Sequence, residues 1–230
     1  MIKRLVLTLV FWTFALLAHA AELVYLNTPT GAQRLLQAPL NQQYFAVQPF
    51  VDTQENLAFC GPASMAAVLN SLPQEARPVS PQLKPFAYFT QDSFFNPQTQ
   101  RIKSREATLR SGLTLLQSAE LLQSFGVRAD RFYADQLSES TLRDLITSSL
   151  KDPKSRLIIN FNRKSLGQAG AGHLSPLAAY DAATDSVLIL DVAKFKYPPF
   201  WVTVTDLLNA MNTIDPDSGL SRGVIRVTAH

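Results

Sequence analysis

Four short apolar runs crowd the second half of the chain: Arg156 to Phe161 (RLIINF), His173 to Tyr180 (HLSPLAAY), Val187 to Asp191 (VLILD) and Gly223 to Thr228 (GVIRVT). Each is too short for a buried helix, several are rich in β-branched residues, and turn-prone pieces such as DAATDS separate some of them. They are therefore expected as strands of one antiparallel sheet. One helix, roughly Thr205 to Met211, interrupts them. The first half has the opposite rhythm. From Gly61 to Leu72, Met65, Ala66, Val68, Leu69 and Leu72 recur at helical spacing, and Pro73 stops the run. Thr114 to Phe125 reads as a second helix closed by Gly126, and Ser140 to Leu150 as a third opened by an N-cap serine. Between the first two, Pro73 to Gly112 is polar and reads as loops and short helical turns. Helices first and sheet second imply an α+β fold with a cleft where the halves meet.

The first 20 residues stand apart from this body. Lys3 and Arg4 precede an apolar run from Leu5 to Ala18, and Ala18-His19-Ala20 supplies a small-x-small cleavage pattern. That is the layout of a secretory signal, and the run is shorter than the ~20 residues a membrane-spanning helix needs. The expectation is a signal peptide over 1–20, one catalytic domain over 21–230, a periplasmic or secreted bacterial protein, and no lasting membrane association. Setting Lys3 and Arg4 aside from the 21 basic residues leaves 19 against 18 acidic ones. With no dense basic run, nucleic acid is not an expected partner.

An exported domain usually holds its cysteines in pairs, yet this chain has one, Cys60. Such a thiol is either a small buried hydrophobe or a reactive group. Gly61 and Pro62 follow it, and proline suits a first helical turn, where its missing N–H has no intrahelical partner. Cys60 is thus expected at a helix N-terminus, where the dipole and free N–H groups favour a thiolate. A thiolate nucleophile needs an imidazole beside it. Of the three histidines, His19 lies in the leader and His230 ends the chain, which leaves His173, behind the glycine-containing turn GQAGAG. Asp191, closing the next apolar run, is placed to orient that ring.

These residues resemble a known family. FCGPASMAAVLNSL, GAGHLSPLAAYDAATDSVLILDVAKFKYPPFWV and IDPDSGLSRG look like the catalytic domain of phytochelatin synthases, from about Leu23 to Thr228. The resemblance implies a papain-like cysteine-protease fold and a Cys60, His173, Asp191 triad. It implies glutathione as substrate and partner, and oxyanion donors from the Cys60 backbone N–H and the Gln54 side chain. Arg163, Gly172, Asp215 and Arg222 then fall on positions near the γ-glutamyl group, Asp215 holding its ammonium or fixing Arg222. The aromatic-proline run FKYPPFW is expected as a packed turn supporting Asp191.

The resemblance implies no tightly bound cofactor and no metal ligands in the chain. Cd²⁺ or Zn²⁺ would enter as a metal–glutathione thiolate substrate. Plant and fungal relatives carry a Cys-rich C-terminal extension that this sequence lacks, so glutathione hydrolysis ranks at least level with peptide extension. A homodimer is compatible with the sequence. The alternative enzymatic reading is a papain-like peptidase of the leader-processing type, which also pairs an upstream Gln with a CGPAS-like helix start. A non-catalytic binding protein is disfavoured, since Cys60 and His173 are too few ligands for a closed zinc site.

Overall fold

The computed structural model describes residues 21–73, 77–79, 81 and 83–230. The signal-peptide reading over 1–20 lies outside the described residues. The chain opens with a short strand β1 (Val24–Tyr25) and helices α1 (Pro29–Gln37), α2 (Gln42–Val47) and α3 (Cys60–Ser71). After short 3-10 turns come α4 (Arg105–Ser111), α5 (Leu115–Gln123) and strand β2 (Arg128–Tyr133). Then follow α6 (Glu139–Lys151), β3 (Ser155–Asn162), β4 (Gly172–Asp181), β5 (Ser186–Ile189), β6 (Phe200–Thr203), α7 (Val204–Met211) and β7 (Gly223–Thr228).

The strands form one sheet in the order β1-β6-β5-β4-β3-β7-β2, every neighbouring pair antiparallel. Both faces of this sheet are covered, which explains why its strands read as unbroken apolar runs. Alternate residues serve opposite cores. Ile158, Leu188, Trp201 and Ile225 pack with α3 and α5, while Leu157, Ile159, Val187, Ile189, Phe200, Val202 and Val224 pack with α6 and α7.

The α+β class and the antiparallel sheet agree with the sequence expectation, but the division into helical and strand halves does not. β1 and β2 come from the first half, and α6 and α7 form a second helical layer. β1, β2, α1 and α2 had no sequence forecast, β1 being two residues long and β2 carrying three charges in six residues; the end of the FKYPPFW run, expected as a packed turn, is instead the start of β6, and α4 lies in the stretch expected as loops and short helical turns. Three boundaries also differ. The cap of α6 is Ser138, whose hydroxyl accepts from the Thr141 N–H in a capping box, so Ser140 lies inside the helix. α5 ends at Gln123 with Ser124 as its cap, and Gly126 turns the chain two residues later. β5 ends at Ile189, so Asp191 sits in the following loop.

α3 is the structural axis of the molecule. From Cys60 to Asn70 every residue is buried, so it is apolar nearly all round. Of its two buried polar residues, Ser64 and Asn70, Ser64 has its hydroxyl 2.7 Å from the Cys60 carbonyl and 3.0 Å from that of Leu174 in β4, tying the start of the helix to the strand that carries His173. At the other end, buried Arg156 donates from Nη2 to the Ser71 carbonyl and from Nε to the Ser71 hydroxyl, and from Nη1 to the Pro153 and Ser155 carbonyls. This guanidinium answers the negative end of the helix dipole. Arg156→Ala removes the donors to the Ser71, Pro153 and Ser155 carbonyls and opens a cavity. It should lower stability by roughly 3 kcal/mol, read as a shifted urea midpoint with an unchanged slope.

Candidate active site

The first intrahelical bond of α3 runs from the Ala63 N–H to the Phe59 carbonyl, so Phe59 is the N-cap and Cys60 the first helical residue. The Cys60 side chain is buried and shares the cleft with the imidazole of His173, the second residue of β4, closely enough for that ring to shift its titration; the backbone amides of Leu174 and Gly61 act on the thiol in the same direction. Burial alone pushes the thiol pKa up. The hydrogen bond and positive charge of His173, with the two amides, outweigh it, and the thiol titrates below its ordinary value. His173 moves the opposite way. Burial pulls it down, but hydrogen bonds to Asp191 and Cys60 and their charges hold it above its ordinary value. Both shifts favour transfer of the thiol proton to the imidazole.

The far side of the ring is held tightly. His173 Nε2 lies 3.0 Å from Asp191 Oδ1 and 2.9 Å from Ser175 Oγ, leaving Nδ1 for Cys60. Asp191 is fully buried and its carboxylate is heavily served. Oδ1 also accepts from Arg163 Nη2 at 2.8 Å and from the Ala193 N–H at 2.8 Å, and Oδ2 lies 2.8 Å from Arg163 Nη1. Against burial, these partners keep the carboxyl far below the usual carboxylate range, so Asp191 stays ionised. Phe161 stands edge-on to the imidazole at 5.6 Å and closes that side of the ring.

A cleft of about 200 Å³ opens over the sulfur. It is lined on one side by Ser111, Gly112 and Leu113 after α4, and on the other by Gly172, Asp215, Asp217 and Arg222. Asn160 of β3, which sequence reasoning did not single out, lies at its floor, buried within an apolar strand. Arg222 is buried with Nη1 3.6 Å from Asp215 Oδ1, and its Nε has no partner among the described residues. The guanidinium lies against Gly172: a Cβ there would stand 3.0 Å from Arg222 Cζ. Gly172→Ala should therefore displace Arg222 without touching Cys60. Its expected signature is an unchanged rate of Cys60 alkylation despite the altered cleft wall.

Not every sequence candidate reaches the cleft. Arg163 is buried behind Asp191, its donors taken by Asp191 and by Gln168 Oε1 at 2.6 Å, and its plane stacked near Phe161 and Tyr197. It is thus placed to hold Asp191 and is not among the residues lining the cleft, where a γ-glutamyl carboxylate was expected to meet it. The tyrosine belongs to the FKYPPFW run, which supports Asp191 through Arg163. Gln54 is buried beside the α3 start. Its Nε2 donates to the Asn56 carbonyl at 2.6 Å, and its Oε1 has no partner among the described residues. One amide hydrogen of Gln54 is thereby committed locally, leaving one for any other acceptor. Among the described residues, no group of three or more His, Cys, Asp or Glu side chains converges on a metal position.

The family model for phytochelatin synthase matches residues 15–224. The chain belongs to the phytochelatin synthase family. The glutathione gamma-glutamylcysteinyltransferase 3 of Lotus japonicus is 35% identical over 190 residues, covering 80% of this chain and 37% of the relative. Glutathione gamma-glutamylcysteinyltransferase 1 of Triticum aestivum is 35% identical over 194 residues, 84% of this chain and 37% of the relative. The chain thus spans less than half the length of these curated relatives. Among solved structures, a double glycine motif protease from an AMS/PCAT transporter, in complex with its leader peptide, is 14% identical. The match covers 78% of this chain and 91% of that one with a TM-score of 0.40, and nothing about this chain follows from it.

Proposed function

We propose that this chain is a cysteine-dependent acyltransferase and hydrolase that removes glycine from glutathione, on a papain-like scaffold. The observation that carries the reading is the buried Cys60 at the start of α3, its thiol pKa lowered by a neighbouring His173 ring whose Nε2 lies 3.0 Å from the ionised Asp191, in a chain of the phytochelatin synthase family.

The thiolate of Cys60 attacks the carbonyl carbon of the cysteinyl–glycine bond, and the C–O π electrons move onto oxygen. The free N–H of Cys60 and the remaining amide hydrogen of Gln54 stabilise that oxyanion. His173 Nδ1 gives its proton to the glycine nitrogen as the C–N bond breaks, and glycine leaves with both bonding electrons. Asp191 keeps Nε2 protonated throughout, so the proton exchanged is the one facing the sulfur. A γ-glutamylcysteinyl thioester remains. Water, deprotonated by the now neutral His173, releases γ-glutamylcysteine; the amine of a second glutathione instead gives a longer γ-glutamylcysteine chain. Arg222 receives the γ-glutamyl carboxylate and Asp215 its ammonium. Cd²⁺ or Zn²⁺ enters this scheme as a metal–glutathione thiolate substrate, linking the reaction to metal detoxification as well as to glutathione turnover.

The test is product analysis by mass spectrometry on the folded protein with glutathione, with and without Cd²⁺ or Zn²⁺. Free glycine together with γ-glutamylcysteine or a longer chain is the expected result. Absence of all three products would overturn the proposal, and cleavage of a glycine–glycine leader peptide without action on glutathione would favour the peptidase reading.

A further inference from the structure

We infer that Ser175 is a positioning residue whose hydroxyl acts as a second acceptor for His173 Nε2–H, holding the imidazole with Nδ1 turned toward Cys60. Its consequence for turnover rests on the glutathione reading above; its consequence for thiol reactivity does not.

Ser175 lies two residues beyond His173 on β4 and is fully buried. Its Oγ is 2.9 Å from His173 Nε2 and 3.3 Å from the Val192 N–H, which it accepts. A buried hydroxyl in an apolar strand costs stability unless its hydrogen-bonding capacity is used. Here the capacity is spent on the one ring nitrogen that must not change protonation state. The direction of the bond follows from its surroundings. Asp191 Oδ1, also on Nε2, can only accept, because Arg163 and the Ala193 N–H hold that carboxylate ionised. Nε2 therefore carries hydrogen in both the neutral and the cationic ring, and Ser175 must accept as well. Two acceptors on one N–H, approaching from different elements, resist both the opposite tautomer and rotation of the ring.

The second link matters too. By accepting the Val192 N–H, Ser175 couples the His173 strand to the loop that carries Asp191, and the Gln54 N–H donates to the Val192 carbonyl at 2.9 Å. One hydroxyl thus ties together the segments bearing Gln54, His173 and Asp191. The ionisable groups around the ring are Cys60 from α3, Asp191 after β5 with Arg163 behind it, and Asp215, Asp217 and Arg222 across the cleft. Ser175→Ala removes none of these charges, so any change in titration reports the hydroxyl.

Cys60 is the single cysteine, so iodoacetamide reads its reactivity without ambiguity. In the full chain, the alkylation rate against pH should show a plateau, entered as the thiolate–imidazolium pair forms and left as His173 loses its proton. Losing an acceptor weakens the imidazolium. In Ser175→Ala the plateau should narrow from both ends, by roughly half to one pH unit in total. Ser175→Thr, which keeps the oxygen, should restore the wild-type width. With glutathione, kcat of Ser175→Ala should fall roughly three- to tenfold at neutral pH with KM unchanged. An Ala profile superimposed on the wild type would overturn the inference whatever the substrate proves to be. ¹⁵N-histidine NMR of the wild type gives a check that needs no variant. Nε2 should stay protonated across the plateau, and a neutral ring carrying its hydrogen on Nδ1 would overturn the acceptor role.

Discussion

Replacing Cys60 with alanine should lower glycine release from glutathione by at least about 10⁴-fold, to the level of the buffer reaction. The size follows from how the site is assembled. Covalent attack, the lowered thiol pKa and one oxyanion amide all converge on the first residue of α3. With no second thiol in the chain, His173 could act only as a general base for water on a weakly held substrate. Serine in place of Cys60 should be almost as damaging. A hydroxyl buried at this point stays protonated and is a far weaker nucleophile than a thiolate. The measurement is product formation by mass spectrometry, with the urea midpoint confirming that the variant is folded. Turnover within tenfold of wild type in Cys60→Ala would mean that the chemistry lies elsewhere.

The second large effect is expected at Asp191. Asp191→Asn keeps the shape but removes the charge that fixes His173 and balances Arg163. Turnover should fall by roughly 10³- to 10⁴-fold, because the ring can then adopt the wrong tautomer. The pH profile should respond in a definite direction. Asp191 helps hold the His173 pKa up, so its loss moves the alkaline limb to lower pH. A less charged His173 lowers the thiol pKa less, so the acid limb moves to higher pH. The active window narrows from both sides as the maximum drops.

Stability changes as well, since Arg163 becomes a buried cation without a counter-charge, at a cost of about 3–5 kcal/mol. The double variant Asp191→Asn, Arg163→Gln should regain much of that stability and none of the turnover, separating charge balance from tautomer control. There is a pH signature too. The Asp191 pKa is depressed in the folded protein, so its contribution to stability is present above the ordinary carboxylate value and is lost as pH falls below it. Asp191→Asn should lack this part of the acid-induced loss.

Much of this was legible before any fold was known. The pattern of a lone cysteine followed by Gly61 and Pro62, with one usable histidine far downstream, identifies a juxtaposition because chemistry leaves few partners to choose from. The apolar strands near the site were equally plain, since a sheet covered on both faces needs uninterrupted apolar runs. What stayed hidden has a common cause: tertiary pairing overrode the local signal. β2 is charged and becomes a strand because β7 supplies its hydrogen bonds at the sheet edge. Arg163 looks like a solvated loop charge until the fold buries it on Asp191. Ser175 and Asn160 are single polar residues in apolar strands, a mismatch that marks them as used. Ser175 is joined to Val192 of the loop bearing Asp191, and Asn160 lines the cleft, neither of which sequence spacing reveals.

The central claim is that the Cys60 sulfur carries a γ-glutamylcysteinyl group during turnover. The direct measurement is rapid acid quench of the protein with glutathione, followed by mass analysis of the peptide containing Cys60. The account requires that peptide to gain the mass of γ-glutamylcysteine less water, in a form that hydroxylamine removes. Glycine release with Cys60 unmodified at every quench time would contradict it.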